Sequence, residues 1–283
     1  MEGDYGALSI VQKWQTEMRN PATTHIDRMT TAEMAACIQL ENENAVHAVG
    51  KALLSIEKAC DCIAERLSLG GRLIYIGAGS SGRLGVLDAV ECPPTYGVPQ
   101  SMVIGIIAGG PKCMFQAAEK EEDDTINGIQ DMQAQDLTEK DTVVGISAAG
   151  NAAYVIGALE YANSIGCATV GITSNPGSKI TECAAIPIVT ETGPEVITGS
   201  TRMKAGTAQK MILNMLSTIS MIKLGHVYEN MMVNLRPTNE KLKKRMISIV
   251  QEILECGEEE AFQQLTECNW SIRQVVDRLS AQH

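Results

Sequence analysis

YIGAGSSGRLGVLDAVECPPTYGV, residues 75–98, carries an apolar run into a turn of small residues and out into a segment of helical character. Residues 72–76 read as a buried strand, after which Gly77, Ala78 and Gly79 remove the side-chain bulk that would keep a ligand from the backbone. Ser80 and Ser81 add hydroxyls and an N-cap. A helix beginning there aims unpaired N–H groups and the positive end of its dipole into the turn, an arrangement that suits a phosphate. On these residues alone an ordinary strand-to-helix turn is an equally good description.

Outward from this stretch, strand-like runs recur at 102–107, 142–146, 168–172 and 186–189, with helix-like segments between them. Such alternation predicts an α/β fold, a doubly wound five-stranded parallel sheet covered on both faces. Ligands in such folds sit beyond the carboxyl ends of the strands, where GAGSS (77–81), GISAAG (145–150) and GITSNPG (171–177) all fall. The three turns are expected to converge on one site. Upstream, apolar residues at three- and four-residue steps predict helix over 34–69, stopped by Gly70 and Gly71. Downstream, 200–228 reads as one long helix. Its first turn would hold Ser200, Thr201, Arg202 and Lys204, and cations at that end oppose the helix dipole, so an anion is the expected reason for them. After Pro237 the segments 239–254, 258–267 and 271–279 read as a polar three-helix unit. The expected division is an N-terminal helical segment (1–62), a central domain (63–236) and a C-terminal helical unit (237–283).

Composition narrows the class of function. A chain of 283 residues with 45% hydrophobic content can bury one sizeable core and a small accessory unit. A formal charge of -11 argues against a nucleic-acid groove or an anionic membrane surface. No basic-then-apolar leader and no apolar run of membrane-spanning length is evident, so a cytoplasmic protein is expected. The nine cysteines lack paired CxxC spacing and read as reduced, mostly buried thiols. His25, His47, His226 and His283 are too dispersed to form a ligand cluster, so neither a metal nor a cofactor is expected, and the chemistry falls to carboxylates.

Over nearly its whole length the chain resembles the N-acetylmuramic acid 6-phosphate etherases of the sugar isomerase (SIS) superfamily. The likeness lies in GAGSSGRLGVLDAVECPPTYGV (77–98), TEMRNPATTHIDRM (16–29), EEDD (121–124) and GPEVITGSTRMKAGTAQKMILNMLST (193–218). It implies a cytoplasmic enzyme that removes the D-lactyl ether from the 6-phosphorylated amino sugar of peptidoglycan, giving N-acetylglucosamine 6-phosphate and D-lactate. The family's two catalytic glutamates correspond to Glu91, before CPPTYG, and Glu122, in the acidic run where Glu119 and Glu121 are register competitors. The resemblance also implies that the C-terminal unit is similar to a ubiquitin-associated-type bundle, which reads as structural or dimer-supporting, with a substrate-covering lid as the alternative.

Such an ether can be broken by β-elimination, because ring opening makes the C2 proton acidic while the lactyl oxygen sits on C3. One carboxylate takes that proton and another donates to the departing oxygen. Glu91 is assigned as donor and Glu122 as base. A continuous helix from Ser81 would leave Glu91 roughly 15 Å from the phosphate turn, which points to a homodimer with a shared pocket unless the helix ends early near Gly85. Gly79, Ser80, Ser81, Ser147, Asn151, Glu195, Ser200, Thr201 and Lys204 are the expected binding residues, with Glu195 a further candidate base. The sequence departs from the family at 147–155, where SAAGNAAYV stands in place of AASGRTPYV. Ala149 and Ala152 replace hydroxyl residues and Asn151 replaces an arginine. This break keeps open an enzyme for a related sugar phosphate, or a non-catalytic sensor like the glucokinase regulatory protein.

Overall fold

The structure, a computed structural model, describes residues 14–117, 119–237 and 239–280. The first thirteen residues of the expected N-terminal segment and His283 lie outside them. Five strands, β1 Leu73–Gly77, β2 Val103–Ile107, β3 Thr142–Ile146, β4 Ala168–Thr173 and β5 Ile186–Val189, form one sheet in the order β2-β1-β3-β4-β5. All pairs are parallel. The strand order reverses at β1 and β3, whose ends Gly77 and Ile146 are register partners. The chain therefore leaves two neighbouring strands in two loops over one crevice, the topological switch point at which such sheets bind ligands. The turn has the GxGxxG spacing in Gly77, Gly79 and Gly82. It is not a dinucleotide fingerprint, because β2 ends into Ala108 and Gly109 with no acidic residue for a ribose.

Alternate strand residues feed opposite cores, as pleating requires. Leu73, Tyr75, Val144, Ile146, Val170 and Ile172 pack with α1 Thr31–Lys51, α2 Leu53–Ser68, α3 Gly79–Tyr96 and α7 Lys204–Lys223. Ile74, Ile76 and Val143 face α4 Thr125–Gln133, α5 Ala153–Ile165 and α6 Lys179–Cys183. Both faces are covered, as the apolar strand runs predict. Helix α3 lies close on β1 because Gly82 has no side chain: a Cβ there would stand 2.4 Å from the Gly77 carbonyl oxygen.

Three features differ from the sequence reading. The helix expected over 34–69 is two helices with a break at Ala52 (φ -92, ψ 2), just past the weak helix former Gly50. It starts earlier, because Thr30 and Glu33 form a reciprocal capping box. The expected 200–228 helix begins only at Lys204 and ends at Lys223, and the chain then turns through a small hairpin of β6 Val227–Tyr228 and β7 Met231–Met232. The C-terminal helices α8 Glu240–Leu254, α9 Glu258–Glu267 and α10 Ile272–Ser280 enclose their own apolar core with Val233 and Leu235.

Candidate active site

The loops after β1 and β3 enclose a cavity of about 320 Å³ at the switch point. Two helices begin on it. The first intrahelical bonds run from Gly82 N to the Ala78 oxygen and from Ile156 N to the Ala152 oxygen, so the amides of 79–81 and 153–155 have no partner within their helices. Neither N-cap, Ala78 or Ala152, supplies a side-chain hydrogen bond. Two dipole ends with open amides thus converge on one polar space.

Gly79, Ser80, Ser81, Ser147, Asn151, Thr201 and Glu122 all line this cavity. Their hydroxyls are not equally available. Ser81 donates to Gln209 Oε1 at 3.0 Å, and Ser147 Oγ accepts the Gly150 N–H at 3.0 Å, which leaves the Ser147 proton to donate. Ser80 and Thr201 hold no side-chain hydrogen bond among the described residues. The turn needs Gly150, where φ is +77° and a Cβ would meet Ser178 Oγ at 2.1 Å. Asn151 spans the loop, its Oδ1 accepting the Lys179 N–H at 3.2 Å. Ala149 and Ala152, the two positions that depart from the family pattern, both lie on the cavity wall.

Other expected residues lie elsewhere, for physical reasons. Glu195 is fully buried and accepts the N–H groups of Lys204 (3.0 Å) and Ala205 (2.9 Å). An anion does occupy the start of α7, as its charge pattern suggested, and it is this chain's own carboxylate. Burial pushes the Glu195 carboxyl above its ordinary range, against those two N–H groups and the nearby Lys204 ammonium. Lys204 turns away from the phosphate turns, is 1% exposed, and pairs with Glu41 at the wall of a separate cavity of about 300 Å³. Ser200 sits in the preceding turn and does not line the switch-point cavity. GITSNPG supports the site from behind: Thr173 Oγ1 donates to the Ala148 carbonyl at 3.2 Å, and buried Asn175 donates to the Ala149 carbonyl at 3.3 Å. Glu91 is exposed on α3, which runs unbroken past Gly85 to Tyr96. About 18 Å of helix rise separates it from Gly79.

Sequence reading missed Glu17, Asp123 and Gly199, all on the cavity wall. Glu17 arrives because the N-terminal segment is tied across the loops. Asn175 Nδ2 donates to Thr16 Oγ1 at 3.0 Å, Asn20 donates to the Pro194 carbonyl at 3.1 Å, and Thr23 donates to the Val196 carbonyl at 2.8 Å. The motif at 16–29 was the available signal. With Glu122 and Asp123, Glu17 brings three carboxylates to a cavity that no Lys or Arg among the described residues lines.

A second cavity, about 610 Å³, adjoins the first and shares Ser80 with it. Arg83, Arg202 and Lys210 line it together with Leu84, Leu87, Met114 and Met211. Arg83 donates from Nε to the Met114 carbonyl and from Nη2 to the Gln116 carbonyl, each at 3.0 Å, tying α3 to the segment that leads to Glu122. Lys210 reaches Asp88 at 3.6 Å. Asp88 in turn accepts from buried Tyr75 Oη at 3.0 Å, and burial raises its carboxyl despite these partners.

A doubly wound parallel sheet with helix N-termini and serines at its switch point defines a protein of the SIS class, and comparison with known proteins agrees. Residues 55–163 match the glucokinase regulatory protein N-terminal SIS domain and residues 124–219 match the SIS domain. The fold resembles that of a phosphoheptose isomerase from Neisseria gonorrhoeae, with a TM-score of 0.50 at 17% identity over 69% of this chain and 100% of that one. The chain is 52% identical over 261 residues to the N-acetylmuramic acid 6-phosphate etherase of Pasteurella multocida, covering 92% of this chain and 87% of that protein. It is 50% identical over the same length to the etherase of that name from Clostridium beijerinckii, covering 92% and 86%. The chain belongs to the N-acetylmuramic acid 6-phosphate etherase family.

Proposed function

We propose that this chain is a carbon–oxygen lyase that cleaves the D-lactyl ether of N-acetylmuramic acid 6-phosphate, giving N-acetylglucosamine 6-phosphate and D-lactate. The observation that carries the reading is the presence of Glu122 in the same cavity as Ser80, Ser147 and Thr201, beneath two open helix N-termini. The phosphate sits against those amides and hydroxyls. The Glu122 carboxylate takes the C2 proton of the ring-opened sugar, the electron pair forms the C2–C3 double bond, and the lactyl oxygen leaves C3 with a proton from Glu91. Water then adds at C3 while the proton returns to C2.

Glu91 of the same subunit is too far along α3 to meet that oxygen, so the reading includes a homodimer in which each pocket takes Glu91 from the other copy. Supporting this, apolar side chains beside Glu91 on the same helix are exposed: Leu87 is 43% and Val90 56% exposed. No helix among the described residues is long and apolar enough to cross a membrane, and the reading places the enzyme in the cytoplasm, in peptidoglycan recycling. The separate apolar core of α8–α10 supports a boundary near 237 between the SIS domain (63–236) and a C-terminal unit, with a helical segment (1–62) before them.

Lactate release from N-acetylmuramic acid 6-phosphate tests the reading. Glu91→Gln and Glu122→Gln should each abolish release while sugar-phosphate binding persists. Mixed and re-associated, the two variants should recover about a quarter of the wild-type rate, since half the dimers then carry one intact site. Wild-type binding without release would sink the lyase reading and favour a sensor or an altered substrate, consistent with Ala149 and Ala152. Release without recovery on mixing would sink only the shared pocket.

A further inference from the structure

The two adjoining cavities differ in charge. Among the described residues, the switch-point cavity is lined by Glu17, Glu122 and Asp123 and by no Lys or Arg, whereas its neighbour is lined by Arg83, Arg202 and Lys210 and by no carboxylate. They meet at Ser80. A ligand lying across them would place one group on helix amides and a second, anionic group among cations. The apolar side chains of the second cavity also form a wall for a small aliphatic group.

The three cations are not equivalent. Arg83 is held by two backbone carbonyls, and Lys210 lies beside Asp88 and donates to Asn214. Arg202 is exposed and has no hydrogen bond or ion pair among the described residues. Its guanidinium keeps its full donor fork for an incoming carboxylate. It also stands one residue from Thr201, which lines the other cavity, so a single turn presents a hydroxyl to one space and a cation to the next.

We infer that the cation-bearing cavity is the subsite for the lactyl arm of the substrate, with Arg202 binding its carboxylate and Leu84, Leu87 and Met211 facing its methyl. The inference rests on the etherase reading for the identity of the substrate. A 2-oxypropionate arm carries one carboxylate and one methyl, the two features this cavity complements. Helix α3 gives the subsite a direction. At 100° per residue, Ser80, Arg83, Leu84 and Leu87 form one stripe, and Glu91 continues it one turn beyond Leu87. The subsite therefore opens toward the exposed surface of α3 that the proposed homodimer would cover with the other copy, whose Glu91 is the proposed proton donor.

The test compares N-acetylmuramic acid 6-phosphate with N-acetylglucosamine 6-phosphate, which lacks only the lactyl arm. Affinities are measured by calorimetry in a Glu122→Gln background, where the sugar is not consumed, with Arg202, Arg202→Gln and Arg202→Lys. Arg202→Gln should weaken the lactyl-bearing sugar about ten- to a hundred-fold and leave the lactyl-free sugar within about two-fold, with Arg202→Lys between. Equal weakening of both sugars would make Arg202 a phosphate ligand, and no weakening of either would place it outside the site; each overturns the inference. The readout is binding, so it separates from the parent reading. A protein that prefers the lactyl-bearing sugar through Arg202, yet whose parent chain releases no lactate, would keep the subsite and lose the lyase. A lyase with no such preference would do the reverse.

Discussion

Restoring a hydroxyl at the start of α5 tests directly where the phosphate sits. Ala152 is the N-cap of that helix, with φ -58 and ψ 113, already outside the helical region as a cap must be, and it offers no side-chain acceptor. In Ala152→Thr the new oxygen would accept one of the open N–H groups of the first turn, a gain of about 1 kcal/mol. For a chain of this size that corresponds to a rise in Tm of about 2 °C. The hydroxyl proton then remains free to donate into the cavity that Ala152 lines. A hydrogen bond to a charged phosphate adds about 1.5–3 kcal/mol, so the dissociation constant for N-acetylglucosamine 6-phosphate should fall about ten- to a hundred-fold. Thermal unfolding without ligand and calorimetric titration with it measure the two effects separately. A raised Tm with unchanged affinity would show that the hydroxyl caps the helix and the phosphate lies elsewhere, which would refute the assignment of this cavity.

Two further outcomes concern the frame around the site. Glu195→Ala removes the acceptor for two N–H groups at the buried start of α7 and should lower stability by about 2–4 kcal/mol in chemical denaturation at neutral pH; a loss below about 0.5 kcal/mol would refute the capping role. Asp141 is 1% exposed and accepts from Arg72 and from the Thr138 N–H. Burial alone would raise its carboxyl, but the Arg72 guanidinium and the Thr138 N–H outweigh that and hold it below its ordinary range. A carboxyl lowered in the fold contributes stability that is complete above its unfolded value, about 3.9, and is lost as pH falls through the folded value. Asp141→Asn should cost about 2 kcal/mol at pH 7, discounted because Arg72 is a quarter exposed, and should flatten the acid limb of a stability–pH curve.

What the sequence made legible, and what it hid, divides by the range of the interactions involved. The sheet was legible because each strand is an apolar run that must be buried on both faces, and 142–146 and 186–189 agree with β3 and β5 to the residue. The turn after β1, with its helix start, was legible because small residues and serines follow the strand consecutively. The start of α7 was misread for the opposite reason. Thr201, Arg202 and Lys204 lie within four residues, yet each faces a different space: the switch-point cavity, the cavity beside it, and the pocket by Glu41. No local pattern reveals that, because the partners Glu41 and Glu195 are fixed by packing of α1 and of the loop after β5. Glu17 was hidden likewise, its place set by Asn175 and by loop carbonyls more than 150 residues away.

The charge distribution follows from the same division. On the proposed reading, a chain of net charge -11 that binds a phosphate cannot rely on its overall field, and no Lys or Arg among the described residues lines the switch-point cavity. Backbone amides at two helix starts supply fixed partial charge without a side chain that would neutralise the nearby carboxylates. Glu41 holds the Lys204 ammonium away from that cavity, and Glu195 accepts the N–H groups at the start of α7. Arg202, without an ion pair among the described residues, stands on the far side of Ser80, where the proposed lactyl carboxylate needs a counter-charge.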